Sequence, residues 1–124
     1  MRHRVCIFAL AMCIFAHIGG CAGTKGAVDP VVFTYVTYET LSPACAEAVA
    51  ELVIPARTRS LTVTEMERLN RLKLLTRLLD SYQKAYNLYV DTRQADLRTD
   101  IRRLLDEVID LGVSLNLSFE ARRL

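Results

Sequence analysis

Between residues 72 and 89 the apolar side chains fall at Leu72, Leu75, Leu79, Tyr82, Tyr86 and Tyr89, an unbroken alternation of steps of three and four. That spacing stacks them along one face of an α-helix, because 3.6 residues complete a turn. Leu74, Leu78 and Val90 flank the seam and widen it, which suits a helix packed against two neighbours rather than one. Its start is marked: Thr62-x-x-Glu65 forms a capping box, and Leu61 with Met66 takes the two positions of a hydrophobic staple. The helix is predicted from Val63 to about Arg93, roughly 46 Å long at 1.5 Å per residue.

Upstream, Asp29-Pro30 has the form of an N-cap followed by a first-turn proline, opening a segment that runs to about Ile54. Val31, Tyr35, Tyr38, Cys45, Val49 and Leu52 keep the 3,4 spacing with one gap, at Ser42. Two features interrupt this helix. Residues 31–38 (VVFTYVTY) have the highest β-propensity in the chain, and Pro43 removes a helical donor while pushing Ser42 out of the α region. A kink or restart with Ser42 as cap is predicted there, with Pro55 closing the segment and residues 56–61 as linker. Downstream, the heptad register breaks by one residue over 91–96, where Asp96 is a candidate N-cap. A third helix then carries Leu97, Ile101, Leu104, Val108, Leu111 and Leu115, although without Gly or Pro at the joint a single bent helix stays open. Gly112 weakens its end, and residues 113–119 (VSLNLSF) alternate as a strand would. Pairing that run with 31–38 makes only a two-stranded ribbon, which is marginal alone. The fold expected is all-α: an antiparallel three-helix bundle spanning 30–124.

The N-terminus changes the picture. Met1 to Arg4 is short and basic, and residues 5–18 (VCIFALAMCIFAHI) are apolar except for His17. A bilayer-crossing helix needs about 20 apolar residues, so the run reads as a signal peptide over 1–20 rather than a permanent span. The next residues, Ile18-Gly19-Gly20-Cys21, resemble the lipobox of bacterial lipoproteins. That resemblance implies a diacylglyceryl thioether on Cys21, cleavage between Gly20 and Cys21, and usually an acyl chain such as palmitate on the new amino group. An ordinary secretory signal and an uncleaved anchor are the alternatives. One acyl chain binds a membrane marginally, whereas two or three hold a protein there. In the sorting pattern of enterobacterial lipoproteins an Asp after the cysteine favours the inner membrane; Ala22 stands here, implying an outer-membrane lipoprotein facing the periplasm. Residues 22–29 (AGTKGAVD) read as a tether reaching at most roughly 26 Å.

Cleavage also alters the charge. The formal net charge of +2 on the 124 residues owes its excess to Arg2 and Arg4, so the remainder is balanced and lacks the electrostatic footprint of a nucleic-acid binder. Cys6 and Cys13 leave as well, and with Cys21 acylated Cys45 is the one free thiol. It is expected to be buried and inert, or else paired between chains. His3 and His17 leave too, so no histidine remains to activate a nucleophile.

The rest contains no Gly-rich phosphate loop and no paired cysteines or histidines for zinc, and the expectation is a non-enzymatic protein with no cofactor beyond its covalent lipid. Asp106, Glu107 and Asp110 have spacings that put carboxylates on one helix face, open to a divalent metal; the favoured reading is a solvated face with Arg102–Asp106 and Arg103–Glu107 pairs. Tyr82, Tyr86 and Tyr89, with Lys84 and Arg93 nearby, read as core or as a surface for bases or sugars. Arg68, Arg71, Lys73 and Arg77 read as a mixed solvated face, or as a contact for lipid headgroups or lipopolysaccharide phosphate near the anchor. Tyr82, Tyr86, Tyr89, Arg68 and Arg71 are thus the candidate interaction surface.

The part after the tether also resembles the small helical lipoproteins of bacteria and of their phages and prophages. It shares a Tyr-Val-x-Tyr-like stretch in the first helix (Tyr35-Val36-Thr37-Tyr38) and a Leu/Arg-rich hairpin, whose joint often reads Gly-Asp where this chain has Ala95-Asp96. Members mostly lack assigned activities. The function expected is an acyl-anchored periplasmic module that binds another envelope protein. The alternative is a superinfection-exclusion or lysis-type lipoprotein of a phage or other mobile element, which gene neighbourhood would separate.

Overall fold

The computed structural model describes residues 28–124. Three helices follow one another: α1, Pro30–Ala56; α2, Val63–Thr92; and α3, Ala95–Ser114. Each packs against both others. Contacts between ends set their directions. Asp29 at the start of α1 meets Tyr89 near the end of α2 and Arg98 in the first turn of α3, while Arg68 near the start of α2 meets Leu115 at the end of α3. Neighbours in sequence are therefore antiparallel, and the bundle is the all-α, three-helix architecture the periodicity predicts. No described helix is long and apolar enough to cross a membrane.

α2 behaves as read. Thr62 Oγ1 accepts from Glu65 N at 3.2 Å and the Glu65 carboxylate accepts from Thr62 N at 3.3 Å, closing the capping box. Arg59 grips the same carboxylate with both terminal nitrogens, at 3.0 and 2.9 Å. Leu72, Leu75, Leu79, Tyr82 and Tyr89 are buried, and Leu69 joins them one turn earlier. The helix ends at Thr92, where Arg93 takes a left-handed conformation (φ 55) that turns the chain into α3 within two residues.

Elsewhere the structure corrects the reading. α1 runs unbroken through Pro43, with no restart at Ser42, and Pro55 lies inside its last turn. Pro43 is exposed, so its missing N–H leaves the Glu39 carbonyl without its i+4 donor on the solvent side, while Leu41 and Cys45 on either side keep the core face in register. The buried stripe is also rotated: Val31, Thr34, Thr37, Leu41, Cys45, Ala48 and Leu52 are inside, with Tyr35, Tyr38 and Val49 half-buried at its edge. α3 starts at Ala95 with Gln94 at the cap position, so Asp96 sits in the first turn rather than capping it. α2 and α3 are separate helices, not one bent one.

Residues 113–119 are not a strand. Val113 and Ser114 complete α3, and Asn116 adopts a left-handed φ of 56. Asn116 N then reaches Val113 O at 3.0 Å, and Leu117 N reaches Gly112 O at 3.1 Å. These are the two bonds of a Schellman motif, with asparagine in the place glycine usually takes. Gly112 lies in the helix because a side chain there has no room: a Cβ would stand 2.9 Å from Phe119 Cε1 and 3.1 Å from Leu41 Cδ1.

Candidate functional site

Cys21, the Gly20–Cys21 cleavage position and tether residues 22–27 lie outside the described residues. The structure does define the place where the tether reading ends. Asp29 caps α1, its Oδ1 accepting from Val31 N at 3.1 Å, and the Tyr89 hydroxyl donates to Oδ2. Arg98 Nη1 lies 3.3 Å from Oδ1 and Arg93 Nη1 lies 3.7 Å from Oδ2. The Arg93 guanidinium also sits 5.5 Å over the Tyr89 ring. One carboxylate thus joins the first turn of α1, the last turn of α2 and the first turn of α3. The Tyr89 hydroxyl, with the Val31 N–H and the two guanidinium groups, holds the Asp29 carboxyl below the usual carboxylate range against the opposing effect of burial.

The tyrosines of the seam divide. Tyr82 is fully buried, its hydroxyl 2.6 Å from Thr34 Oγ1, and that hydroxyl in turn donates to Val31 O at 2.6 Å. Burial pushes its ionisation well above the usual phenol range. Tyr89 is 3% exposed. Neither can meet a partner, which corrects their placement on an interaction surface; their hydroxyls are used by Thr34 and Asp29. Tyr86 is half-buried and stacks on Tyr35 of α1, with ring centroids 4.5 Å apart, and Tyr35 stacks on Tyr38 at 5.1 Å. This aromatic layer fills the α1–α2 interface.

The basic cluster lies on a largely exposed face of α2, and two of its arginines reach the end of α3. Arg68 Nη1 donates to Leu115 O at 2.9 Å and Arg71 Nη2 donates to Ser114 Oγ. Both side chains serve the end of α3, where helix carbonyls lack partners and cations are favoured. Arg68 and Arg71 lie 21 and 18 residues along α2 from Tyr89, roughly 32 and 27 Å away by helical rise, so they sit at the opposite end of the bundle from Asp29. Lys73 and Arg77 remain exposed on α2.

Among the acidic residues of α3, Glu107 pairs with Arg103 at 3.2 Å as expected. Asp106 pairs not with Arg102 but with Arg123, whose two terminal nitrogens lie 2.8 Å from Asp106 Oδ1 and 2.8 Å from Asp110 Oδ1. No group of three or more His, Cys, Asp or Glu residues is placed to hold a metal among the described residues. Cys45 is 2% exposed, its Sγ 3.6 Å from Leu72 O and 3.5 Å from Thr76 Oγ1, and lies beneath a groove of about 420 Å³ bounded by Tyr38, Ser42, Val49 and Asp80.

Sequence reasoning missed Thr37 and Thr40. The Thr37 hydroxyl accepts from Arg122 N at 2.7 Å and faces Arg122 O at 3.3 Å; Thr40 Oγ1 accepts from Glu120 N at 3.0 Å. Two hydroxyls one helical turn apart therefore bind alternate residues of an extended segment. Threonines amid valines and tyrosines read as β-propensity, and nothing local marks them as contacts for residues eighty positions away.

No protein-family model, curated protein or solved structure matches the chain.

Proposed function

We propose that the chain is an acyl-anchored lipoprotein of a bacterial envelope, held in the periplasm on the outer membrane, whose helical domain acts without catalysis as a protein-interaction module. The observation that carries this reading is the joint at Asp29, eight residues after the lipobox cysteine. A load applied through a lipid-borne tether enters the domain at Asp29. Because that carboxylate engages all three helices, the load is shared by the whole bundle rather than peeling α1 away. Such a joint suits a domain displayed as a rigid body within a tether's length of a membrane.

The test is replacement of Cys21 by alanine in the full chain expressed in a bacterial host. Wild-type protein should incorporate radioactive fatty acid and appear in a shortened, membrane-bound form. The Cys21→Ala variant should lose the label and accumulate as unprocessed precursor, because lipid attachment precedes cleavage in lipoproteins of this kind. Persistent labelling, or normal shortening of the variant, overturns the reading.

A further inference from the structure

α1 is apolar on two faces, and the bundle covers one of them. The inward face runs from Val31 to Leu52. A second series leaves Val32 in alternating steps of four and three, through Val36, Glu39, Pro43, Ala46 and Ala50 to Val53. With 3.6 residues per turn these positions form a stripe roughly opposite the buried set, about 32 Å long. Val32 and Val36 are half-buried, and every member from Glu39 onward is exposed; Val53 keeps 39% of its surface and its neighbour Ile54 60%. A helix that is apolar all round is ordinarily covered all round. The other two helices differ, since α2 exposes Lys73, Arg77 and Lys84 and α3 exposes Arg103 and Glu107.

The charges beside the stripe specify what covers it. α1 holds three charged residues, Glu39, Glu47 and Glu51, all of them acidic. All three are exposed, and none has an ion-pair partner among the described residues. Glu39 lies within the stripe one turn before Pro43, and its backbone carbonyl is the one that Pro43 leaves without a helical donor. The middle of the stripe thus offers a carboxylate and a free carbonyl together. Glu47 and Glu51, one turn apart, border an open groove of about 280 Å³ with Ala44 and Ala48, and the one cation lining it, Arg68, is already bonded to Leu115 O. A second copy of α1 would set carboxylate against carboxylate with no cation between them. An anionic bilayer would be repelled by the same three groups, where interfacial helices present Lys and Arg. Helices recognise helices through this kind of pattern, apolar anchors at steps of three and four with edge charges fixing the register. Pro43, Ala46 and Ala50 are small enough for a second helix to approach closely there.

We propose that the outer face of α1 is the docking site for a cationic amphipathic helix of another protein, its apolar face on the stripe and its Lys or Arg side chains on Glu39, Glu47 and Glu51. The proposal rests on the interaction-module reading, which it deepens by naming the surface and the partner's chemistry, and it needs no lipid on Cys21. One basic residue at mid-helix meets Glu39, and two more, a turn apart, reach Glu47 and Glu51.

Synthetic helices test it. Three fluorescent peptides of about 21 residues match the stripe in length. The first carries Leu and Ala at 3,4 spacing with Lys along both edges, the second has Glu for every Lys, and the third scrambles the apolar stripe of the first at unchanged composition. The full chain is held in nanodiscs of neutral phosphatidylcholine, with empty discs as blank, and binding is read by fluorescence anisotropy. The Lys peptide should bind at least about tenfold more tightly than either of the others. Glu39→Lys with Glu47→Lys and Glu51→Lys should invert the preference toward the Glu peptide. Ala46→Gln with Ala50→Gln adds bulk without charge and should weaken the Lys peptide at least about fivefold. All five positions are exposed, so both variants should keep the fold, which helical circular dichroism checks; if one unfolds, the other decides. No binding above the blank overturns the proposal, as does binding that the scrambled peptide matches or that the folded variants leave unchanged. Wild-type dimers in sedimentation velocity that Ala46→Gln with Ala50→Gln dissolves overturn it too, because a second copy then covers the stripe. The chain has no tryptophan, so Ala50→Trp reports on the remaining occupant: quenching by brominated lipid in the same discs would place the stripe on the bilayer and sink the proposal. An envelope protein that binds wild type and Ala46→Gln with Ala50→Gln equally would keep the module reading and remove this surface from it, and the fatty-acid test on Cys21 stands apart from every arm.

Discussion

At Asp29 a single side chain performs two tasks that substitution can separate. Asp29→Ala removes both the N-cap and the pairs with Tyr89, Arg93 and Arg98. Cap loss alone costs about 0.5 to 2 kcal/mol, which for a domain of this size lowers the melting midpoint by roughly 2 to 16 °C. Asn at this position still caps, so Asp29→Asn should recover part of the loss, and the remainder measures the pairs. The pH dependence has a definite sign. The folded carboxyl titrates below its unfolded value, so its contribution is present above the ordinary Asp range near pH 4 and is lost as pH falls through the folded value. Glu65, which the Arg59 guanidinium first of all holds at about 2, behaves the same way. Toward strongly acid pH wild type should therefore approach Asp29→Asn, because a protonated carboxyl still caps as the amide does, while the gap to Asp29→Ala narrows without closing. A gap that stays constant would show the carboxyl is not perturbed by folding.

At the scale of elements, α1 shows how packing overrides local preference. Residues 31–38 favour strand and Pro43 disfavours helix, yet 27 residues remain helical because Leu41 and Cys45 lie on one buried face across the proline. Pro43 is exposed and its removal creates no cavity. Pro43→Ala should therefore return a donor to the Glu39 carbonyl and stabilise the protein by about 1 to 3 kcal/mol, less than the full cost of an interior proline because the unfolded chain also gains freedom. A raised midpoint in thermal melts checks this; a lowered one would mean that the proline itself supports α1. The end of α3 carries the complementary lesson. Alternation in 113–119 is genuine, but it serves a helix terminus followed by an extended strap: Leu115 is buried beneath the Schellman turn, and Leu117 and Phe119 pack on α1 and α3. Period two reports extended backbone and cannot distinguish a ladder partner from a pair of threonine hydroxyls.

The whole molecule hangs on the α2 seam. Leu79 is buried between the other helices, and cutting a buried leucine to alanine costs about 2 to 5 kcal/mol. Against the 5 to 15 kcal/mol or so typical of a domain, Leu79→Ala should lower the midpoint by roughly 10 °C or more. A variant melting like its parent would mean the seam is not packed in the monomer. The interior leaves little slack elsewhere, since no buried side-chain nitrogen or oxygen among the described residues lacks a hydrogen-bond partner.

Neighbours three or four positions apart were enough to read the capping box at Thr62, the proline start after Asp29 and the seam from Leu72 to Tyr89. These follow from one helical turn's geometry. Tertiary structure decided the rest. It chose which edge of a broad apolar stripe is inside, turning Tyr35 and Tyr38 to the rim and Thr34 and Thr37 inward. It assigned Arg68 and Arg71 to the end of α3, gave Asp106 to Arg123 rather than Arg102, and brought residues 120–122 onto α1. Each of those outcomes joins groups from 17 to 85 positions apart. Local spacing is silent about such pairs, because their geometry exists only after the helices have packed.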